Sequence, residues 1–288
     1  MKFPPLEYRR AEDLSSACEL LAAEGARPLA GGQSLLPLLA LRIARPSILV
    51  DLSRLEELKG VVLATGGVGG DVLSIGAVTT HADIEQEAAV AGHLPILGRV
   101  ASHIGHLSIR HLGTIGGSVA HADPAAEWPA TCVALGALAE ITSRGGVRRA
   151  PVAELLVGPY QTSLADGEVI SRLEFPLEPG RRLGMAEVAR RPGDFALAGA
   201  VCSLTQREGS TEAVVSFFGV EGRPRPIRLP ALSSSELLDE AGREALSHEV
   251  AAQLEDVLED VHASGTFRRH LARVALKRAL GEALKEAA

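Results

Sequence analysis

Ala30-Gly31-Gly32-Gln33-Ser34-Leu35 joins a short stretch, residues 27–30, that is typical of a strand to an apolar stretch, residues 35–41, that is typical of a helix. Two adjacent glycines permit positive φ and a close approach by another backbone. Consecutive N–H groups at such a turn form a concave site for an anion such as a diphosphate. Because a Gly-Gly pair between a strand and a helix is usually a plain turn, this loop alone does not decide between the two readings.

A second glycine loop, Thr114-Ile115-Gly116-Gly117-Ser118, has the same character. Its small residues expose backbone N–H groups, and its threonine and serine add hydroxyl donors. The two loops together are predicted to hold one diphosphate from opposite sides. Asp123 and Glu127 follow shortly after, and their carboxylates can accept hydrogen bonds from ribityl or ribose hydroxyls. In isolation the two acids are explained as well by a solvated loop with a helix cap, which carries no cofactor role.

A third glycine cluster, residues 65–71, is interpreted differently. It contains neither GxGxxG nor GxxxxGK[ST], so it lacks the spacing of a nucleotide loop. It lies between two β-like runs, residues 61–64 and 72–75, and we expect a hairpin connection there.

Composition excludes several classes of function. The 288 residues carry 29 basic and 36 acidic side chains, a formal charge of −7, which disfavours binding to nucleic acid or anionic lipid. No signal-like apolar segment or span of 18 apolar residues is visible, so neither export nor a membrane span is expected. The three cysteines form no CxxC and therefore no iron-sulfur loop, and a reducing cytoplasm fits them best. The histidines at positions 103, 106, 111 and 121 lack a recognised ligand spacing, so no metal site is predicted.

The order of elements indicates an α+β protein with two domains. The best boundary is Pro176-Leu177-Glu178-Pro179-Gly180, which predicts domains at 1–176 and 177–288. Before it we predict a helix after Asp13 and a buried helix over 130–139. After it we predict strands or short helices over 185–191, 196–204 and 213–220. Two amphipathic helices follow, one with Val250, Leu254, Val257 and Leu258, and one over 267–284. The basic side chains of the second are expected to form a solvated face, and contact with RNA or a partner subunit is the alternative.

Three ordered segments, taken together, resemble a known family. They are the loop of residues 30–35, the longer run Thr114-Ile115-Gly116-Gly117-Ser118-Val119-Ala120-His121-Ala122-Asp123-Pro124, and Arg190-Arg191-Pro192-Gly193-Asp194-Phe195-Ala196. Their order and spacing are similar to those of the FAD subunits of carbon monoxide dehydrogenases and bacterial xanthine dehydrogenases. The resemblance extends over essentially the whole chain, including residues 265–270.

The resemblance implies a fold and a set of cofactor contacts. The expected fold is a two-subdomain FAD-binding domain of the vanillyl-alcohol-oxidase (PCMH) type, followed by a smaller α/β domain with an antiparallel sheet and helices, like the C-terminal domain of CO dehydrogenase flavoproteins. Both glycine loops would hold the FAD diphosphate, Asp123 and Glu127 would face the ribityl hydroxyls, and Ile170 would line the flavin. The candidate cofactor-binding residues are Ala30, Gly31, Gly32, Gln33, Ser34, Leu35, Ile104, Arg110, Thr114, Gly116, Gly117, Ser118, Asp123, Glu127 and Ile170.

Four positions depart from the family's usual pattern. Histidine often stands where this chain has Gln33, and asparagine often stands where it has Ser118; both replacements keep hydrogen-bonding ability. An aromatic residue and a lysine are common where Met185 and Glu187 stand. The covering of the flavin face is therefore expected to differ here.

The function that the resemblance implies is electron transfer within a molybdenum hydroxylase. A large molybdopterin subunit would hydroxylate the substrate, and a small subunit with [2Fe-2S] clusters would deliver electrons to FAD on this chain, in a dimer of heterotrimers. NAD+, a quinone or oxygen would accept them. No catalytic acid or base is predicted on this chain. Two alternatives stay open: a stand-alone flavin-dependent reductase similar to the enolpyruvyl-sugar reductase of cell-wall synthesis, and a cofactor-free binding module.

Overall fold

The computed structural model describes residues 3–67, 70–207, 210–229 and 239–285. The elements up to residue 176 are, in chain order, β1 (Glu7–Arg10), α1 (Leu14–Leu21), β2 (Ala26–Leu29), α2 (Leu35–Ala40), β3 (Ile48–Asp51), a 3-10 turn (Glu56–Leu58), β4 (Val61–Gly67), β5 (Gly70–Gly76), α3 (His81–Gln86), α4 (Ala88–His93), α5 (Pro95–His103), α6 (Leu107–Arg110), α7 (Ile115–His121), α8 (Glu127–Leu135), β6 (Leu138–Ser143), β7 (Gly146–Pro151), α9 (Val152–Leu155), β8 (Leu156–Gly158), β9 (Gln161–Thr162) and β10 (Val169–Pro176). The later elements are β11 (Arg182–Val188), β12 (Ala198–Arg207), β13 (Ser210–Phe218), β14 (Ile227–Arg228), α10 (Glu240–Ala252) and α11 (Gly265–Lys285).

The amino-terminal unit is a small parallel sheet in the order β1-β3-β2. Helix α1 begins where the sequence predicts, because Asp13 accepts a hydrogen bond from the Ser16 amide at 2.7 Å and the Ser16 hydroxyl accepts one from the Asp13 amide. Strand β2 leads directly into the first glycine loop, and α2 follows it. This strand-loop-helix unit was predicted from the apolar pattern and is confirmed.

The second sheet has five antiparallel strands in the order β4-β5-β10-β6-β7. Its central strand β10 is buried along most of its length. Strands β4 and β5 pair as the predicted hairpin, although residues 68 and 69 of its connection lie outside the described residues. The third glycine cluster therefore belongs to a hairpin.

Helix α8 crosses the centre of the main core, and all nine of its residues are buried. It ends at Gly136, whose φ of 66° lies in the left-handed region, so that residues 138 and 139 already belong to β6. The predicted helix over 130–139 is therefore wrong at its carboxyl end, because a glycine in this conformation terminates it.

The third sheet is antiparallel, in the order β11-β12-β13-β14, and α11 packs against it. Gly184 permits this close packing, since a Cβ there would lie 1.9 Å from the Ala279 carbonyl oxygen. Helix α10 ends at Ala252, so the predicted helix that includes Leu254, Val257 and Leu258 is wrong. That segment instead packs beside the residues that follow β13, where the Leu258 amide donates to the Val220 carbonyl at 2.8 Å.

The second and third sheets share one core. Leu183, Met185 and Phe218 belong to the same buried cluster as Trp128 and Phe175. The predicted α+β class is confirmed by this arrangement of two antiparallel sheets with helices between and around them.

Basic residues of α11 are not all solvated, contrary to the sequence-based expectation. Arg268 is 4% exposed and donates to the carbonyl oxygens of Leu197 and Gly219, both at 2.7 Å. Arg273 and Lys277 both pair with Glu244 of α10. These three cations therefore hold α11 against other elements of the same chain. Among the described residues, no helix is both long enough and apolar enough to cross a bilayer.

Candidate functional site

The two glycine loops lie side by side, although 78 residues, positions 36–113, separate them in sequence. A Cβ placed on Gly31 would lie 2.0 Å from the Leu112 carbonyl oxygen and 2.8 Å from Cα of Gly113. A Cβ on Gly117 would lie 3.5 Å from Cβ of Ala30. The first loop therefore packs backbone against backbone on the segment that opens the second, which only glycine permits.

The first loop presents free backbone donors. The amides of Gly31, Gly32, Gln33 and Ser34 have no acceptor in the part of the chain that the structure describes. Gly32 has a φ of 69°, and the Gln33 side chain donates to the Gly31 carbonyl at 3.0 Å, which closes the loop on itself. Four consecutive amides without an acceptor, on a half-exposed loop, form a site for an anion with several oxygens.

The second loop differs from the prediction, because residues 115–118 form the first turn of α7 and their amides are already engaged. The Ile115 amide donates to the Thr79 carbonyl at 3.2 Å, and the Gly116 amide donates to the Ala77 carbonyl at 2.9 Å. Thr114 caps α7 by accepting from the Gly117 amide at 3.2 Å. The predicted amide cradle is therefore wrong for this loop, and its remaining donors are the hydroxyl hydrogens of Thr114 and Ser118.

Asp123 and Glu127 follow α7 and belong to one acidic group. Asp123 is half-buried, and its Oδ1 accepts from the Ala125 amide at 2.9 Å. Glu127 is 6% exposed, and its burial raises the pKa of its carboxyl to about 8, with smaller contributions from Glu187 and Asp123. At neutral pH Glu127 is therefore mostly protonated and can donate as well as accept a hydrogen bond.

Glu187 of β11 extends this acidic group from the third sheet. Burial raises the pKa of its carboxyl, and nearby His103 partly opposes the increase. Its Oε2 is buried with no hydrogen-bond partner among the described residues. The third sheet thus brings a second protonatable acid near the end of α5.

Three further candidate residues have the following contacts within the protein. The Arg110 guanidinium donates to Glu85 at 3.0 Å and to the Gly105 carbonyl at 3.3 Å. Ile170 is 4% exposed within β10 and packs in the main core. Ile104 ends α5, half-buried against the same core. In this structure none of the three is joined to the first glycine loop by a described contact, and their cofactor roles stay predictions.

The arginine-rich turn of residues 190–196 packs near this region. Gly193 has a φ of 83°, and a Cβ there would lie 2.9 Å from the Gly105 carbonyl oxygen. Phe195 is exposed beside it. The segments at residues 30–35 and 190–196 thus both pack against the stretch of residues 105–118, which includes the start of the third segment.

His81 and Trp128 were missed by the sequence analysis as site residues. His81 is 4% exposed, and its Nδ1 accepts from the Trp128 indole N–H at 3.0 Å. Its Nε2 faces Gly113, where a Cβ would lie 2.7 Å away. No local pattern joins these residues, because the contact spans 47 positions.

FAD fits the residues that are present. Its pyrophosphate needs several convergent donors, and the four free amides of residues 31–34 supply them without an opposing carboxylate in hydrogen-bond contact with the loop. Its ribityl hydroxyls need acceptors and donors, which Asp123 and protonated Glu127 provide.

Comparisons with known proteins agree with this fit. The family "FAD binding domain in molybdopterin dehydrogenase" matches residues 4–178, and the family "CO dehydrogenase flavoprotein C-terminal domain" matches residues 185–283. The nicotine 6-hydroxylase medium subunit of Paenarthrobacter nicotinovorans is 36% identical over 293 residues, which cover 98% of this chain and 99% of that protein. The carbon monoxide dehydrogenase medium chain of Hydrogenophaga pseudoflava is 31% identical, over 97% of each chain.

A solved structure supports the same assignment. Quinoline 2-oxidoreductase from Pseudomonas putida 86 contains a chain that superposes with a TM-score of 0.90 at 37% identity, over 100% of this chain and 99% of that one. The family match, the relatives that align over nearly their full length and the fold all indicate the same family. This chain therefore belongs to the family of FAD-binding subunits of molybdenum-containing hydroxylases and dehydrogenases, and it is an oxidoreductase component with FAD as its cofactor.

Proposed function

We propose that this chain is the electron-transfer subunit of a molybdenum hydroxylase complex, which passes electrons from the [2Fe-2S] clusters of a partner subunit to an external acceptor. The observation that carries the proposal is the row of free amides at residues 31–34, which packs against the segment that opens the second glycine loop. A site built from backbone donors binds and orients a cofactor without acting on a substrate itself.

When bound, FAD supplies the chemistry that pairs electrons arriving one at a time. The chain's own residues bind and orient the cofactor. The amides of Gly31 to Ser34 hold the pyrophosphate, and the hydroxyls of Thr114 and Ser118 add donors from the other side. Asp123 and Glu127 hold the ribityl chain, with a proton on the Glu127 carboxyl near neutral pH. A neutral Glu127 adds no negative charge beside the phosphates.

The proposed assembly is a dimer of heterotrimers with a large molybdopterin subunit and a small iron-sulfur subunit. Two relatives, one named a medium subunit and the other a medium chain, support a subunit role, since they align over nearly their full length. We propose residues 1–176 and 177–288 as its two domains. The acceptor would be NAD+, a quinone or oxygen. The three cysteines are buried and form no disulfide in the part of the chain that the structure describes, which is consistent with a reducing cytoplasm.

Isolation of the tagged chain from its native host tests this proposal. We expect one FAD per chain, two co-purifying partner subunits identified by mass spectrometry, and bleaching of the flavin band after the iron-sulfur clusters are reduced photochemically under anaerobic conditions. The chain isolated alone with full NAD(P)H-dependent turnover of a small substrate would favour the stand-alone reductase. A colourless chain that does not take up FAD would favour the cofactor-free module.

A further inference from the structure

The pair of His81 and Trp128 lies directly beneath the turn that supports the first glycine loop. Trp128, in the middle of the core, is fully buried, and its indole N–H donates to Nδ1 of His81. Because Nδ1 is the acceptor, the imidazole is neutral and carries its proton on Nε2. Burial, together with the charge of Arg110, lowers the pKa of His81 to about 4, which agrees with this protonation state.

The opposite side of the His81 ring carries the turn of Leu112 and Gly113. A Cβ on Gly113 would lie 2.7 Å from Nε2 and 2.9 Å from Cδ2 of His81, so the turn rests on the ring only because this residue is glycine. The His81 amide also donates to the Gly113 carbonyl at 3.0 Å. The turn is thereby fixed by both the backbone and the ring of one residue.

The same turn determines where Gly31 lies. The Leu112 carbonyl oxygen is 2.0 Å from the position that a Gly31 Cβ would occupy, so any displacement of the turn moves the first loop or opens a gap beside it. The contacts thus form a continuous stack from Trp128 through His81 and the turn to Gly31.

We propose that His81 is a positioning residue for FAD: held by Trp128, it sets the position of the turn at residues 112–113 and, through it, the direction of the amides of residues 31–34. His81 does not touch the cofactor. The inference rests on the proposed role of the first loop in binding the pyrophosphate, and it adds a residue from the core to that site.

The test compares two substitutions of His81 in the full chain after removal and re-addition of FAD. His81→Leu cannot accept from Trp128, whereas the amide oxygen of His81→Asn can take the place of Nδ1. We expect His81→Leu to raise the Kd for FAD about tenfold and to speed amide hydrogen exchange at residues 31–34 in the flavin-free chain. His81→Asn should recover most of both effects.

Two further variants separate positioning from general stability. Gly113→Ala should raise the Kd for FAD like His81→Leu, because its Cβ displaces the turn from the ring. Val100→Ala removes methyl groups from a fully buried side chain of α5 and should lower global stability without changing that Kd. If His81→Leu does not fold, Gly113→Ala and His81→Asn still decide the outcome.

Failure of this inference differs from failure of the proposed function. The positioning role alone would be overturned if wild type bound FAD with protection of the amides of residues 31–34 from exchange, while the His81 and Gly113 variants kept the wild-type Kd. Equal loss of affinity in Val100→Ala would overturn it too, since stability alone would then explain the result. A wild-type chain that binds no FAD would overturn the proposed function first.

Discussion

Replacement of Gly31 by alanine tests the contact between the two loops most simply. Gly31 does not adopt a left-handed φ, so alanine meets no backbone strain there and any effect comes from its Cβ. That atom would lie 2.0 Å from the Leu112 carbonyl oxygen and 2.6 Å from its carbonyl carbon. Both neighbours are backbone atoms, so a side-chain rotation cannot relieve the overlap, and the half-exposed loop has to move.

Overpacking of this kind costs about 1–3 kcal/mol. If the loop moves outward, most of that cost falls on the bound state, in which its amides must converge on the pyrophosphate. We therefore expect the Kd for FAD of Gly31→Ala to rise roughly 5- to 150-fold, at about 1.4 kcal/mol per factor of ten. The free energy of unfolding of the flavin-free chain should change much less.

The assay is a titration of the flavin-free chain with FAD, followed by quenching of flavin fluorescence, with urea unfolding measured in parallel. Gly281→Ala is the matched control, because a Cβ at this position near the carboxyl end of α11 meets no atom within 4 Å. It should leave the Kd unchanged and stabilise the helix slightly. A wild-type Kd in Gly31→Ala would refute the inference that this close approach shapes the site.

Three further predictions concern buried ionisable groups. The fold raises the pKa of Glu127 from 4.5 to about 8, so the contribution of this group to stability is complete below pH 4.5 and is lost as pH rises through 8. Urea unfolding should therefore show Glu127→Gln similar to wild type at pH 5 and more stable than wild type at pH 9, by up to about 1.4 kcal/mol per pH unit of the shift. The fold lowers the pKa of His81 from 6.5 to about 4, so the free energy of unfolding should fall as pH decreases from 6.5 to 4. If His81→Asn showed the same dependence of that free energy on pH as wild type in this range, His81 would not be its source. Arg268→Met leaves the carbonyls of Leu197 and Gly219 without their donor and should lower the free energy of unfolding by about 1–3 kcal/mol, whereas an unchanged midpoint in urea would argue against that contact.

Local patterns predicted most of the elements because their determinants are close in sequence. Helix α1 follows from the Asp13 cap, and the β4–β5 hairpin follows from glycines between two apolar runs. Helix α10 was predicted wrongly because the apolar periodicity of residues 250–258 reflects two environments, the end of a helix and a segment that packs beside Val220, after the end of β13. Periodicity alone cannot distinguish them.

The candidate site was predicted only in part, for a similar reason. Small residues and glycines identified both loops, and the structure brings them together. The sequence could not reveal that the amides of Ile115 and Gly116 are used by the carbonyls of Thr79 and Ala77, since those partners come from a distant turn. Nor could it reveal His81, which resembles an ordinary first residue of a helix until Trp128 and Gly113 are placed on either side of it.

Because the pKa of Glu127 is raised, the site carries less negative charge near neutral pH than its residue types suggest. Counted as charged, Asp123, Glu127 and Glu187 would repel a bound diphosphate. Burial favours the neutral form of both glutamic acids, so only part of that negative charge is present near neutral pH. The acidic group is therefore compatible with an anionic cofactor nearby.

Hydrogen exchange measured with and without FAD tests the central claim most directly. The amides of residues 31–34 should exchange rapidly in the flavin-free chain and become strongly protected when FAD is added, whereas those of residues 115 and 116 should be protected in both states because they already have acceptors. Unchanged exchange at residues 31–34 in a chain saturated with FAD would show that the pyrophosphate is held elsewhere.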